Sequence, residues 1–205
     1  MKKIDCIFYL VDNYLYLYEM KNNNLSKYKF NNYIYDGRII KPNNLIKKIN
    51  EILKEKKIIK LLTGQNTIII YEPHLKYIDK KIIIDTFDQC GFKSIKLIST
   101  KELIDKNNYY IEINNNYIIT YYNNNKYEMI KTNNYNNLES LIKIVINKIN
   151  RDILLIGIND YLKELSHLNE KIYYIENHDT YFIDKLIKKI NKIWQNLLIF
   201  LSFMI

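Results

Sequence analysis

The sequence predicts an α/β protein made of two consecutive lobes, and three features carry that prediction. Each half of the 205-residue chain opens with three short apolar segments separated by turns rich in Asn or Asp, a pattern typical of an antiparallel meander. An amphipathic segment with helical spacing follows in each half. A further apolar segment comes after that helix, which indicates a crossover to a parallel strand. We expect an N-terminal lobe at residues 1–105 and a C-terminal lobe at residues 106–205.

The first meander is predicted at the start of the chain. Its strands are expected at Ile4–Val11, Tyr14–Met20 and Leu25–Phe30. The turns between them are Asp12-Asn13 and Asn22-Asn23-Asn24, and both residue types tolerate the left-handed backbone that tight hairpins require. Asn triplets also occur in disordered tracts, but here they alternate with β-forming segments at hairpin spacing, which favours turns.

A second turn and the first helix follow the meander. Asp36-Gly37 indicates a turn within Tyr33–Ile40, and Pro42 and Asn43 mark the start of a helix. Apolar residues recur along that helix at intervals of three and four, which predicts one buried face: Leu45, Ile46, Ile49, Ile52 and Leu53.

The rest of the first half reads as a crossover unit. A strand is expected at Thr67–Tyr71, which Pro73 ends, and a helix at Asp79–Cys90, which Gly91 ends. Its inward face is predicted to hold Ile82, Ile83, Thr86, Phe87 and Cys90. A last strand is expected at Ser94–Ile98, parallel to the strand before the helix.

The second half repeats this order and then adds further elements. The predicted elements are strands at Tyr109–Ile113, Tyr117–Tyr122 and Tyr127–Ile130, a helix at Leu138–Ile149, a strand at Ile153–Ile156, a short helix at Tyr161–Leu168, a strand at Lys171–Glu176 and a terminal helix at Thr180–Ile205.

The basic composition is weak support for a nucleic-acid partner. Lys, Asn, Ile and Tyr dominate, Ala is absent, and the two arginines are Arg38 and Arg151. Codons of the favoured residues are rich in A and T, so genomic bias can account for much of the net charge of +9. Because specific recognition favours the bidentate arginine fork, we do not expect specific nucleic-acid binding. The Tyr and Lys residues from Tyr117 to Lys126 fit either stacking on single strands or an edge strand that faces water.

The terminal segment Trp194–Ile205 is the most distinctive surface feature. Its last nine residues, Leu197–Ile205, carry no charge, but a membrane-spanning helix needs about 20 residues. These apolar side chains need a cover, because burying each large one is worth about 1.5–3 kcal/mol. The cover can be the chain's own sheet, a partner's groove or an anionic membrane surface. The lysines that precede the segment fit a membrane surface: Lys185, Lys188, Lys189 and Lys192.

Cysteine usage and the N-terminus indicate the compartment. Cys6 and Cys90 lie in apolar segments and form no CxxC pair, which is typical of a reduced interior. The residues after Met1 lack the pattern of a signal peptide. We expect a cytoplasmic protein, with peripheral attachment to a membrane as the variant.

Motif chemistry is sparse. No GxxxxGK[ST], GxGxxG or HExxH pattern occurs, and the chain has four glycines, which leaves little material for a loop that cradles phosphate. His74, His167 and His178 are far apart in sequence, so we expect no metal site. Glu72-Pro73-His74 follows a predicted strand, where it is either an ordinary turn or a carboxylate and an imidazole at the edge of a sheet that commonly binds ligands.

The order of elements resembles a known superfamily. Two lobes of this layout, each ribonuclease-H-like, are found in the actin, sugar-kinase and Hsp70 superfamily. The closest local resemblance is to bacterial actin homologues of the MreB and FtsA type. It rests on Asp36-Gly37-Arg38-Ile39-Ile40, on Ile68–Pro73 and on Gly91–Ile98. The stretch that contains these segments covers about a third of the chain.

The resemblance implies a nucleotide site in a cleft between the lobes. The matching positions are Asp12, Glu112, Asn114, Gly157 and Asp160, and the implied ligand is ATP with magnesium. Most of the family's glycines are replaced here, which predicts that no cofactor binds and that the chain is a structural or scaffolding protein rather than an ATPase.

Two other functions stay open at this stage. One is a basic RNA-associated protein of ribosomal type from an A/T-rich genome. The other is an ATP-dependent enzyme of the same superfamily, whose phosphate loops would be built from Asn. A scaffold of this kind would work by self-association or by binding a protein partner.

Overall fold

The computed structural model describes residues 4–58, 65–104, 109–113, 117–122, 126–131, 153–157, 172–175 and 178–202. The chain divides into two compact units, Met1–Thr100 and Lys101–Ile205. The helices expected at Leu138–Ile149 and Tyr161–Leu168 lie outside the described residues.

The first unit contains the predicted meander and crossover unit. Its elements are β1 (Cys6–Val11), β2 (Tyr14–Glu19), β3 (Asn24–Lys29), β4 (Ile34–Tyr35), β5 (Arg38–Ile39), α1 (Pro42–Glu55), β6 (Gln65–Tyr71), α2 (Tyr77–Gln89) and β7 (Phe92–Ser99). A short 3₁₀ turn at Thr100–Glu102 follows β7. Helix α2 begins two residues before the predicted start, because Asp79 accepts a hydrogen bond of 2.8 Å from the Lys76 main-chain N–H and so caps the first turn.

One mixed sheet organises this unit, with the strand order β3-β2-β1-β6-β7. Strands β1, β2 and β3 pair antiparallel, whereas β6 pairs parallel with both β1 and β7. The predicted meander and the predicted parallel crossover are therefore both confirmed. The turn at Asp36-Gly37 is confirmed as well, because it joins the antiparallel pair β4 and β5.

The core of the first unit lies between the sheet and the helices α1 and α2. Phe8 of β1 contacts the rings of Phe87 and Phe92 at centroid distances of 4.8 and 5.4 Å, both edge-on, which is a favourable aromatic geometry. On α1 the buried residues are Leu45, Ile49, Ile52 and Leu53. Strand β1 is buried on both faces, which explains its unbroken apolar sequence.

The second unit has a sheet of the same design. Its described elements are β8 (Tyr109–Ile113), β9 (Tyr117–Tyr122), β10 (Lys126–Lys131), β11 (Ile153–Gly157), β12 (Ile172–Tyr174) and the terminal helix α3 (His178–Ser202). The strand order β10-β9-β8-β11-β12 repeats that of the first sheet. Strands β8, β11 and β12 pair parallel. The duplication that the sequence predicts is thus present at the level of sheet topology.

One sequence interpretation of this unit is wrong. The segment from Tyr117 to Lys126 was compatible with an edge strand that faces water, but β9 lies between β8 and β10. The side chain of Tyr121 is buried with 1 % exposure. Tyrosine is strongly favoured in strands, whether central or at an edge, so its spacing alone does not reveal which place a strand takes.

Helix α3 packs its apolar face within the second unit. Phe182, Ile183, Leu186 and Ile190 are buried, at the spacing expected for one helical face. No helix in the described part of the chain is long and apolar enough to cross a membrane.

Candidate functional site

Asp12 lies at the carboxyl end of β1, where open α/β sheets commonly bind ligands. The turn it forms with Asn13 is only two residues long, because Val11 pairs directly with Tyr14. Asp12 has a left-handed backbone, with φ +50°, which Asp tolerates better than most residues. Its exposure is only 2 %, so this turn is closed over rather than open to solvent.

The hairpin β4–β5 covers the Asp12 turn. The main-chain N–H of Gly37 donates a hydrogen bond of 2.8 Å to the carbonyl oxygen of Asp12. Gly37 has φ +68°, and a Cβ atom there would lie 3.2 Å from Glu72 Oε2 and 3.4 Å from the carbonyl oxygen of Leu10. The hairpin tip can approach this closely because glycine has no side chain.

Glu72 and His74 follow the adjacent parallel strand β6, so they reach the same edge of the sheet as Asp12. The Glu72 side chain has 0 % exposure and that of His74 has 4 %. His74 Nε2 lies 3.1 Å from the carbonyl oxygen of Asp36, and His74 Nδ1 lies 3.8 Å from Glu72 Oε2. Three turns, at Asp12, Asp36-Gly37 and Glu72–His74, therefore meet at one edge.

Burial is the main influence on His74, and it lowers the pKa of the imidazole, because the charged form loses its hydration. The Arg38 charge also lowers this pKa, whereas the bond to the Asp36 carbonyl and the charges of Asp36 and Asp79 act in the opposite direction. Arg38 is itself drawn towards α2, since its Nε lies 3.7 Å from Asp79 Oδ2. His74 is therefore a neutral imidazole near pH 7.

Glu112 occupies a different setting in the second unit. It lies within strand β8, opposite Ile156 of β11, and has 2 % exposure. The hydroxyl group of Tyr121 donates a hydrogen bond of 2.5 Å to Glu112 Oε2. This is a diagonal pair across neighbouring strands, and it gives the carboxylate a partner inside the sheet.

The other residues of the implied nucleotide site are only partly described. Gly157 is the last residue of β11 and pairs with Ile113. Asn114 and Asp160 lie outside the described residues. Within the part of the chain that the structure describes, no group of three or more His, Cys, Asp and Glu side chains is arranged to hold a metal ion.

Sequence inspection found the Glu72-Pro73-His74 turn but missed its partner. The Asp36-Gly37 turn is separated from Glu72 by 35 positions, and the local sequence pattern does not predict that this turn contacts Glu72. The available signal was the glycine itself, because Asp-Gly at a hairpin tip marks a place where another backbone or side chain can approach closely.

No family model matches the sequence, and no curated protein matches it either. Solved structures do match the fold. The ethanolamine utilization protein EutJ from Carboxydothermus hydrogenoformans matches with a TM-score of 0.63 at 9 % identity, over 89 % of this chain and 88 % of EutJ.

Two further structures match at similar levels. MreB5 of Spiroplasma citri bound to ADP has a TM-score of 0.62 at 8 % identity, over 94 % of this chain and 98 % of MreB5. A filament of AlfA bound to AMPPNP has a TM-score of 0.60 at 12 % identity, over 96 % of this chain and 99 % of AlfA. Identities this low establish a shared fold and nothing about ligand or activity.

Proposed function

We propose that this chain, which has the actin-like fold, is a structural or scaffolding protein that acts by self-association or by binding a protein partner rather than by catalysis. The likeness in fold supports the proposal, since the AlfA structure is of a filament and a MamK structure is of a non-polymerising mutant. The fold expected from the sequence is confirmed by these structures; the function is our inference.

The observation that carries the non-catalytic part is the Asp12 turn. Phosphate loops use glycine so that successive main-chain N–H groups can approach the phosphate. Here the turn has two residues and no glycine, and the Gly37 N–H is bonded to it at 2.8 Å. The buried carboxyl group of Asp12 adds no attraction for a phosphate. A triphosphate would therefore have to displace the β4–β5 hairpin to reach this position.

The alternative is an ATP-binding protein of the same fold. MreB5 structures are of ADP and AMPPNP complexes, which concerns the ligands of MreB5 and not those of this chain. In this alternative Asp12, Glu112, Asn114, Gly157 and Asp160 would surround ATP with magnesium, with the carboxylates as the metal's preferred oxygen ligands. Asp12 would first need to become accessible, and Glu112 would have to exchange its bond with Tyr121.

Attachment to an anionic membrane surface is a finer part of the proposal. On α3 the side chains of Lys188, Lys189 and Lys192 are exposed, and Ile193 beside them is 46 % exposed. A basic face next to apolar residues is typical of helices that lie on anionic lipid. The segment Trp194–Ile205 follows these residues in the sequence.

The RNA-associated alternative has less support. Stacking on bases requires tyrosine rings that face solvent, but Tyr121 is buried. In the first unit, Lys27 Nζ lies 4.5 Å from the ring centroid of Tyr14 and 5.2 Å from that of Tyr16. These lysine and tyrosine side chains contact each other instead of forming a free stacking surface.

The test combines nucleotide binding with assembly state. Fluorescent ATP with magnesium is titrated into the purified chain and into the variants Asp12→Ala and Glu112→Gln, with Asp85→Ala, an exposed residue of α2, as the matched control. Glutamine is preferable to alanine at 112 because it keeps an acceptor for Tyr121. Sedimentation velocity over a concentration series then measures self-association with and without ATP.

We expect concentration-dependent association that ATP does not alter, and no saturable binding of the nucleotide. Saturable binding that is lost in Asp12→Ala and Glu112→Gln but kept in Asp85→Ala would overturn the non-catalytic proposal and favour the ATP-dependent alternative. A monomer at all concentrations would overturn self-association and leave a separate protein partner.

A further inference from the structure

Helix α2 exposes large apolar side chains on the face opposite its buried one. Tyr77 is 83 % exposed, Ile78 57 % and Ile84 40 %, whereas Ile83 and Phe87 are buried in the core. Single exposed apolar residues are ordinary, but several that share one face of a helix are typical of an interaction surface. The outer face of α2 is therefore a candidate contact surface.

The outer face of α2 is apolar at one end and acidic at the other. Positions 77, 81, 84 and 88 follow each other at intervals of four, three and four, which is the spacing of one helical face. Tyr77 and Ile78 lie at the N-terminal end, and Asp85 and Asp88, both exposed, lie beyond Ile84. A helix that pairs with this face needs the same spacing, with an apolar end and a basic end.

Helix α3 has those properties in the reverse order along the chain. Positions 189, 193, 196 and 200 have the same intervals of four, three and four. Lys189, Lys192 and Ile193 are exposed. The residues from Leu197 to Leu201 are all apolar, and the helix continues to Ser202. From its C-terminal end backwards, α3 is thus first apolar and then basic.

An antiparallel pairing of the two helices brings these residues into a single register. Helices whose facing residues repeat at intervals of three and four pack side by side along such a seam. The pairs that this register forms at the charged end are Ile84 with Ile193, Asp85 with Lys192, and Asp88 with Lys189.

The same register matches the apolar ends of the two helices. Tyr77 and Ile78 take positions opposite Phe200 and Ile199 in the sequence of α3. From 77 to 88 the seam is about 16 Å long, at about 1.5 Å per residue. No two like charges are opposed along it. Complementary charges of this kind select one partner and one register over others.

We propose that α2 of one copy of this chain packs antiparallel against α3 of a second copy, with Asp85 and Asp88 facing Lys192 and Lys189. This inference rests on the self-association proposed above and names its surfaces. The two surfaces differ, so each copy in a pair keeps one α2 face and one α3 face free. Such a head-to-tail contact can continue from copy to copy, as a ring or a filament.

Other contacts of the basic face are compatible with this pairing. Lys189 Nζ lies 3.3 Å from the carbonyl oxygen of Glu102, which uses one of the three hydrogens of the ammonium group and leaves two. The lysines are also part of the surface proposed above to lie on anionic lipid. A copy cannot use them for both purposes at once, so vesicles of phosphatidylcholine and phosphatidylserine are expected to compete with association.

Charge reversal tests the pairing in the intact chain. One variant carries Asp85→Lys with Asp88→Lys, and the other carries Lys189→Glu with Lys192→Glu. Sedimentation velocity over a concentration series measures the association of the wild type, of each variant alone and of an equimolar mixture of the two variants. Circular dichroism of each variant checks that it is folded.

The matched control reverses charges on a different helix. Glu51 and Glu55 are exposed on α1, outside the proposed seam. Glu51→Lys with Glu55→Lys changes the net charge by the same amount as the reversal on α2. Glu51 loses its surface ion pair with Lys48, which contributes little to stability. The control therefore separates the effect of net charge from that of the seam.

We expect the wild type and the control to associate alike, and each seam variant alone to associate at least about tenfold more weakly, because like charges then face each other. The equimolar mixture is expected to recover association. In the mixture the new lysines on α2 of one variant meet the new glutamates on α3 of the other. At the second contact, the original Asp residues meet the original Lys residues.

The outcomes separate this inference from the function on which it rests. If the wild type associates but a seam variant associates equally well, the control is weakened equally, or the mixture stays as weak as its components, this contact is overturned and self-association through another surface stands. A wild type that is monomeric at all concentrations overturns both. If that monomer binds the vesicles and Lys189→Glu with Lys192→Glu does not, lipid is the occupant of α3.

Discussion

Gly37 lies against Glu72, so closely that a Cβ atom at position 37 would be 3.2 Å from Glu72 Oε2. Both residues reach the edge of the sheet where β1 and β6 end. Glycine is favoured at position 37 for two reasons. It adopts φ +68°, and without a side chain it leaves room for the buried carboxyl group of Glu72. Neighbouring Asp36 also has a left-handed backbone, with φ +49°.

Gly37→Ala is expected to destabilise the first unit. A side chain in the left-handed region costs about 1–2 kcal/mol, and the contact with Glu72 adds to that. Asp36→Gly is the matched control. It relieves the left-handed backbone of a side chain and costs about 0.5–1 kcal/mol in chain entropy, so its effect is expected to be smaller than that of Gly37→Ala. Urea unfolding followed by circular dichroism compares the two, and equal midpoints would contradict the packing at Gly37.

Tyr121→Phe is expected to cost about 1–3 kcal/mol, because it removes a hydrogen-bond donor from the buried carboxylate of Glu112. The double variant Glu112→Leu with Tyr121→Phe removes both polar groups and is expected to recover most of that loss. The free energy of unfolding of the two single variants and the double variant gives the coupling between the residues. A coupling of zero would mean that the hydroxyl group does not bond Glu112 in solution.

Cys6 is expected to be inert in the folded protein. Burial, with smaller contributions from the charges of Asp5 and Glu19, raises the pKa of its thiol to about 12. At pH 8 the thiolate fraction is then about one in 10⁴, and only the thiolate is nucleophilic. In the variant Cys90→Ser, iodoacetamide labelling followed by mass spectrometry should be at least about 100-fold slower than in guanidinium. Labelling at the rate of the unfolded chain would place Cys6 at an accessible surface.

The sequence predicted the sheets better than it predicted the site. The spacing of apolar residues and the identity of turn residues are local signals. They located the meander up to Phe30, the Asp36-Gly37 turn and the crossover to β7. The parallel pairing of the two strands that flank α2 was predicted from the helical connection between them. The resemblance also singled out Asp12 and Glu112 as site residues. Asp12 lies in the turn directly after β1, whereas Glu112 lies within β8.

Burial at the site could not be predicted in the same way. Glu112 has a partner in Tyr121, nine positions along the chain, on a strand whose place in the sheet the tyrosine spacing left undecided. Asp12 is covered by Gly37, whose contact depends on how a two-stranded hairpin folds back over a different strand. Contacts of this kind are set by tertiary packing, which overrides what propensity and spacing report.

The last prediction isolates the imidazole of His74 by removing its carboxyl neighbour. In Glu72→Gln the carboxyl group beside the imidazole is absent, but the burial that lowers the pKa of His74 remains. The folded state then binds fewer protons than the unfolded state once the pH is below the ordinary value of 6.5. His74 therefore contributes its full stability above 6.5, and that contribution decreases as the pH falls from 6.5 towards the lowered pKa.

The measurement is the free energy of unfolding of Glu72→Gln between pH 5 and pH 8, compared with Glu72→Gln combined with His74→Gln, in which every other titrating group is the same. The difference in free energy of unfolding between the two variants should be constant above pH 6.5. Below pH 6.5 the variant that retains His74 should lose stability relative to the one with His74→Gln. A difference that is constant throughout would mean that the His74 ring is hydrated in solution, and a shift in the opposite direction would mean that a carboxylate other than Glu72 binds the imidazolium.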